Sequence, residues 1–282
     1  MPEPSKAVLI TGCSSGIGRA TAQRLAAEGW KVYATARRPE TITDLRDHGC
    51  HTLPLDVLDE ASMQRAVETV GEAEGAVGVL VNNAGYSQSG AVETVPLDAV
   101  RRQFETNVFG LIRMCQLVLP GMRAQHWGKI VNMGSMGGRV TFPGGGIYHA
   151  TKYAIEAISD ALRFEVRGFG VDVVLVEPGL ITTEFARTAA ASVGQTRESG
   201  PYAKFNRRVA NLTESAYRGP LKLLGGGPES VADTIAGALK ASRPKPRYPV
   251  TPSAHLMISQ RRFTPDQLWD LIMRTQYPTP QG

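Results

Sequence analysis

Residues 7–18 read Ala7-Val8-Leu9-Ile10-Thr11-Gly12-Cys13-Ser14-Ser15-Gly16-Ile17-Gly18. An apolar run of strand length enters a loop with glycines at 12, 16 and 18. A segment with helical spacing follows from Ile17 to Glu28, and Gly29 is placed to stop it. A strand that feeds a helix through such a turn is the first half of a βαβ unit. Small residues let the backbone approach a pyrophosphate closely, and the following helix directs its free N–H groups at the anion. The spacing is G-x-x-x-G-x-G, not the G-x-G-x-x-G of longer dinucleotide-binding chains. Three glycines alone also fit a purely structural turn, so the weight comes from their place between strand and helix.

Working outward, further apolar runs of strand length occur at Lys31–Ala36, His51–Leu55, Val77–Val81, Lys129–Met133 and Val171–Val176. Several are nearly continuous Val, Ile and Leu, as strands covered on both faces require. Helical segments separate them. In one, Phe104, Val108, Leu111, Cys115 and Val118 recur at steps of three and four. Strict alternation of this kind predicts right-handed βαβ units and a doubly wound, Rossmann-like parallel α/β sheet in one domain. Its ligands bind beyond the C-terminal strand ends. The expected core spans about residues 6–185, with a substrate lid and C-terminal helical extension over about 186–282. Past Phe185 the pattern weakens. A proline-opened helix is expected over Glu229–Ala241, an edge strand over Pro244–Thr251, and a last helix over Pro265–Arg274.

Composition narrows the function. Apolar residues make up 42% and charged residues 20%, which suits a globular fold rather than a disordered chain. No run approaches the length of a bilayer span, and the start of the chain leaves no room for a signal peptide before the first strand. The net charge of +5 is spread among pairs such as Arg37/Arg38 and Arg207/Arg208, without a nucleic-acid motif. Cys13, Cys50 and Cys115 are odd in number and far apart, which fits neither disulfides nor zinc and predicts a reducing, cytoplasmic setting. Cys13 reads as a small residue filling a tight turn. No cluster of His, Cys, Asp and Glu points to a metal.

The second strand ends in Arg37-Arg38, where an acid that would bond an adenosine ribose is absent. A guanidinium there pairs well with a 2′-phosphate, so the sequence predicts NADP(H) in preference to NAD(H). The other reading is a cation capping a strand end in solvent. Ser15 stands where a second basic residue would strengthen the preference.

Tyr148 and Lys152 are four apart and share one helix face. A phenol has a pKa of about 10 and is a poor base at neutral pH. A neighbouring ammonium stabilises the phenolate and brings the group toward proton exchange with a carbonyl oxygen or an alcohol. Ser135 follows the Lys129–Met133 strand, and a loop carrying Gly137, Gly138 and Gly144–Gly146 separates it from Tyr148. That loop can fold back and bring the two hydroxyls to one substrate oxygen. Asn107 interrupts an apolar helix, where asparagine is unfavourable; a kink and a side-chain hydrogen bond are both open. His149 faces away from its neighbour and reads as incidental.

Taken in order, Thr11–Gly18, Asp56, Asn82-Asn83-Ala84-Gly85, Asn107, Ser135, Tyr148-x-x-x-Lys152 and Pro178-Gly179 resemble the short-chain dehydrogenase/reductase family over roughly residues 6–185. The resemblance implies interconversion of a ketone or aldehyde and an alcohol by hydride transfer. It implies Asn107, Ser135, Tyr148 and Lys152 as the catalytic set, with Asn107 in a water relay to Lys152. It also implies cofactor contacts from Gly12, Ser14, Ser15, Gly16, Ile17, Gly18, Arg37, Asp56, Val57, Asn83, Ala84 and Gly85. Tyr148, Lys152, Pro178, Gly179, Ile181 and Thr183 complete that set at the nicotinamide end.

The long C-terminal tail is similar to the branch acting on steroids, retinoids and other lipophilic alcohols. Tyr86, Met136, Phe142, Phe185, Tyr202, Phe205 and Tyr217 are candidates to line its pocket or to pack beneath a lid. Ala150, Ala154, Ala157 and Ala161 form a stripe that fits either the chain's own sheet or a homodimer or homotetramer contact. The rival function is a nucleotide-binding regulator on the same fold, which the presence of Ser135, Tyr148 and Lys152 disfavours.

Overall fold

The structure is a computed structural model, described here for residues 3–183, 188, 200–218 and 223–280. Seven parallel strands form one sheet in the order β3-β2-β1-β4-β5-β6-β7. They are β1 Val8–Ile10, β2 Val32–Ala36, β3 His51–Pro54, β4 Val79–Asn82, β5 Gly128–Met133, β6 Val171–Pro178 and β7 Arg247–Val250. The helices are α1 Gly16–Ala27, α2 Glu60–Glu74, α3 Leu97–Phe104, α4 Gly110–Ala124, α5 Gly146–Val166, α6 Ala203–Arg218, α7 Pro228–Lys240, α8 Pro252–Phe263 and α9 Asp266–Gln276. This is the doubly wound, Rossmann-like fold that the alternation predicts, and the proline-containing β7 lies at the sheet edge as expected.

Both faces of the inner strands are covered, which is why β1, β4, β5 and β6 are nearly continuous apolar runs, whereas the edge strands β3 and β7 are partly open. Val8 and Ile10 point into one core layer with Leu25 of α1 and Ile235 of α7, while Leu9 points into the other with Met114 of α4 and Ile155 of α5. Strand order reverses between β1 and β4, which pair directly. The crevice at that switch point is where ligands of this architecture bind. A buried polar ladder fixes α5 to the sheet. Asn82 donates to Asn132 at 3.0 Å, and Asn132 donates to Ser159 at 3.0 Å.

The element that the sequence reading passes over is α6. Within 186–227 it is an amphipathic helix anchored by Phe205 and Val209, four apart, which pack with Ala91. Asn206, also buried, accepts a hydrogen bond from the Ala91 N–H at 3.0 Å. Two anchors in a polar segment are a weak periodic signal beside the glycines and prolines that flank them.

Candidate active site

The switch point opens into a cleft of about 1080 Å³. At one end lies the loop after β1. Gly12 and Gly16 have φ of +74° and +57°, left-handed values that favour glycine. A Cβ on Gly12 would stand 3.0 Å from the Ala84 backbone, and one on Gly18 would stand 2.4 Å from the Asn83 amide nitrogen. The loop is held by the neighbouring strand end. Thr11 Oγ1 accepts the N–H groups of Asn83 and Ala84 at 3.0 and 2.9 Å, and Asn83 Nδ2 donates to the carbonyls of Thr11 and Gly12 at 2.9 Å each. Ser15 is the N-cap of α1, and its side chain makes no capping bond, so the first turn of that helix keeps its donors for an anion.

Gly12, Ser14, Ser15, Gly16, Ile17, Arg37, Asp56, Val57, Asn83, Ala84 and Gly85 all line this part of the cleft. Gly18 does not: it is buried behind, where it allows Asn83 and Gly12 to close. Arg37 is exposed just past β2, and among the described residues it has no ion-pair partner. The glycine cradle, the uncapped helix and the unengaged guanidinium fit a phosphate-bearing dinucleotide.

At the other end stand Ser135, Tyr148 and Lys152, with Pro178, Gly179, Ile181 and Thr183 beside them. Lys152 is buried and donates from Nζ to the Met133 carbonyl at 2.7 Å. Its Nζ lies 5.7 Å from the centre of the Tyr148 ring. Burial lowers the Lys152 ammonium to about 8. Ser135 Oγ accepts the Gly137 N–H at 3.0 Å, which leaves the hydroxyl proton to be donated elsewhere. Gly179 is pinned by the C-terminal extension. A Cβ there would stand 2.4 Å from Ser253 Oγ, and the Leu180 N–H donates to the same oxygen at 3.0 Å.

Asn107 lies behind the cleft in a π-helical turn, Glu105–Phe109, that joins α3 to α4. Of the two readings left open for it, the side-chain hydrogen bond is present, and the helix is locally widened into a π turn. Nδ2 donates to the Tyr86 carbonyl at 2.9 Å and to Thr151 Oγ1 at 3.1 Å, while Oδ1 accepts the Tyr86 N–H at 3.1 Å. These bonds tie the π turn to α5 one residue from Lys152.

Two groups of residues were missed from sequence. His149 is not incidental. It is buried, its Nδ1 lies 3.0 Å from the Gly137 carbonyl, and a Cβ on Gly137 would stand 2.6 Å from that nitrogen. Burial lowers its pKa, which keeps the ring neutral and clamps the loop bearing Ser135. Adjacency to Tyr148 hid this role, because the partner is twelve residues back. The second group is Met257 of α8 with Trp269 and Met273 of α9, which line the apolar end of the cleft. Of the aromatic candidates, Tyr86 and Phe142 line it together with Met136, whereas Tyr202 and Phe205 pack in a satellite core beneath. Phe185 and the side chain of Tyr217 lie outside the described residues. The three cysteines are buried thiols, and burial raises Cys13 to about 12, as a turn-filling residue requires.

A family model described as short chain dehydrogenase matches residues 6–193. The chain belongs to that family. Among relatives of this dehydrogenase, it is 35% identical over 274 residues to a 3-ketodihydrosphingosine reductase of Bacteroides thetaiotaomicron, covering 96% of this chain and 97% of the relative. It is 33% identical over 276 residues to an NADPH-dependent 3-dehydrocapnine reductase of Ornithobacterium rhinotracheale, covering 94% of each. It is 37% identical over 287 residues to human 17-beta-hydroxysteroid dehydrogenase type 1, covering 98% of this chain and 82% of the relative. A short-chain dehydrogenase structure from Streptomyces avermitilis superposes with a TM-score of 0.79 at 32% identity, covering 96% of this chain and 98% of that one. The dehydrogenase is therefore an oxidoreductase with a nucleotide cofactor. Among its described residues no helix is long and apolar enough to cross a membrane.

Proposed function

We propose that this dehydrogenase reduces a lipophilic ketone or aldehyde with NADPH, and runs the reverse reaction on the alcohol, with Tyr148 as the proton donor and acceptor. One observation carries the reading: a single cleft joins a glycine-lined anion cradle and Arg37 to Ser135, Tyr148 and Lys152, and ends in an apolar wall. When bound, NADPH supplies the hydride. Ser135 donates its hydroxyl proton to the substrate oxygen and holds it toward Tyr148. Tyr148 gives that oxygen its proton as the alcohol forms. Lys152, fixed on the Met133 carbonyl, binds the nicotinamide ribose and stabilises the phenolate that remains. Asn107 supports Tyr86 and α5 from behind. With the cofactor bound, Asp56 and Val57 would face the adenine, Asn83-Ala84-Gly85 the adenosine ribose, and Pro178, Gly179, Ile181 and Thr183 the nicotinamide and its phosphate. Arg37 pairs with the 2′-phosphate and sets the preference for NADP(H) over NAD(H).

The long-chain keto and steroid substrates named for the relatives, together with Trp269, Met273 and Met257 in the cleft, support a lipophilic carbonyl. A dimer or tetramer belongs to the same reading. Of the stripe, Ala150, Ala157 and Ala161 are exposed beside Tyr153 and Phe164, which are 44% and 85% exposed, and Ala154 is half-buried, which supports a contact with another subunit. The test is NADPH oxidation at 340 nm across long-chain 3-keto amines, 17-ketosteroids and short aldehydes. Turnover is expected to favour the long or polycyclic ketones. Tight NADPH binding with no turnover across the panel would instead establish a nucleotide-binding regulator.

A further inference from the structure

Behind the cleft, one turn past Lys152 on α5, lies a second ionisable group that the chemistry above does not use. Glu156 is 7% exposed, and it faces Glu177, which is 1% exposed and immediately precedes Pro178-Gly179 on β6. Two arginines flank the pair. Arg247 of β7 donates from Nε to Glu156 Oε2 at 3.0 Å and from a terminal nitrogen to Asp160 Oδ2 at 2.5 Å. Its Nε is 3.9 Å from Glu177 Oε1. Arg139, one residue past the short Met136–Gly138 turn, places a nitrogen 3.6 Å from Glu177 Oε1 and 3.9 Å from Glu156 Oε2. Asp160 is also held by Arg163 at 2.8 Å. Among the described residues, those are the charged groups within ion-pair distance of the pair and its partner.

Neither arginine hydrogen-bonds Glu177 Oε1, and both that oxygen and Glu156 Oε1 are buried without a hydrogen-bond donor. Each orphaned buried oxygen is costly, and two adjacent buried carboxylates repel. One proton resolves both problems, because a carboxyl O–H on one side chain satisfies the unpaired oxygen of the other. We propose that Glu156 and Glu177 share a single proton and serve as positioning residues, and that the protonated pair ties the catalytic helix α5 to the β6 strand end and, through Arg139, to the turn that carries Ser135. Burial, then the Glu156 charge, raises Glu177 to about 8, the direction that a shared proton requires. A second contact supports the tie: a Cβ on Gly138 would stand 3.1 Å from Glu156 Cγ and 3.0 Å from the Lys152 carbonyl, so α5 and the serine turn touch at this point. The role in catalysis rests on the proposed assignment of Ser135, Tyr148 and Lys152, whereas the shared proton does not.

The consequence is a pH dependence apart from that of Tyr148. The native pair holds a proton that the unfolded chain has released, so stability falls as pH rises from about 5 through about 8. Glutamine at either position imitates the singly protonated pair and removes the titration. Melting temperatures of wild type, Glu177→Gln and Glu156→Gln, without ligand and across pH 5 to 9.5, test it. Each variant is expected to gain on wild type as pH rises, with the gap levelling above about pH 8.5. Gaps that stay constant with pH in both variants overturn the shared proton. With NADPH and a ketone that is turned over, the alkaline limb of kcat is expected to move up by at least half a pH unit in Glu177→Gln, with KM little changed. An unmoved limb in both variants overturns the positioning role. Tyr148→Phe separates the two readings, since it should lose turnover at every pH and leave the melting profile of wild type intact.

Discussion

Thr11 gives the sharpest test of how the nucleotide end of the cleft is built. It is 1% exposed, and its hydroxyl oxygen accepts two backbone N–H groups, from Asn83 at 3.0 Å and Ala84 at 2.9 Å. Thr11→Val keeps the side-chain shape and removes the acceptor, leaving both donors unpaired. An orphaned buried donor costs about 1–3 kcal/mol. Both backbone groups are only part-buried, so the lower end applies to each and the pair loses about 2–3 kcal/mol. In a chain of this length that lowers the melting temperature by about 3–5 °C. Because Asn83 and Ala84 also line the cleft, NADPH affinity should fall with it. Thr11→Ser keeps the oxygen and should lose no more than about 1 kcal/mol, the worth of a buried methyl. Calorimetry and NADPH fluorescence titration read the two effects. If Thr11→Val melts with wild type and binds NADPH equally well, the strand-end clamp is not what shapes the loop.

Other outcomes follow from the same geometry. Arg37→Ser should raise the KM for NADPH about 10- to 100-fold, the worth of a charge-assisted hydrogen bond, and change that for NADH little; equal losses for both cofactors argue against a 2′-phosphate contact. Lys152→Met should abolish turnover yet stabilise the ligand-free protein at pH 7, because lowering a buried ammonium to about 8 represents up to about 3 kcal/mol of native-state cost. That gain should shrink as pH rises from about 8 to about 10.4, where the native amine is neutral and the unfolded one still charged; a gain independent of pH refutes the assignment. His149→Leu should lower kcat by loosening the Gly137 carbonyl, and should flatten the fall in stability below about pH 6.5, since the native imidazole resists protonation. Wild-type acid sensitivity in that variant places the titration elsewhere.

The sheet was legible because its signals are local and repeated. The inner strands β1, β4, β5 and β6 are short runs rich in Val, Ile and Leu, and covering both faces leaves no alternation to misread. The glycine loop after β1 and the turn from Tyr148 to Lys152 were legible for the same reason, since each sits within a few residues of its own element. What was hidden depends on contacts across the chain. His149 is defined by a carbonyl twelve residues away, and Glu177 by partners on α5, β7 and the turn at Arg139. The apolar wall from Trp269 and Met273 comes from a helix whose existence the sequence predicts but whose docking over the cleft it does not. Asn107 showed as a break in pattern, and only the fold connects it to Tyr86 and Thr151.

The most direct test of the catalytic assignment is a stopped-flow single turnover of the NADPH complex of Tyr148→Phe with a ketone that wild type reduces. NADPH affinity should stay within about twofold of wild type, while the rate of NADPH oxidation drops by about 10²- to 10⁴-fold, the range for losing a general acid. A variant that oxidises NADPH at the wild-type rate would contradict the account, because the proton would then come from a group other than the phenol beside Lys152.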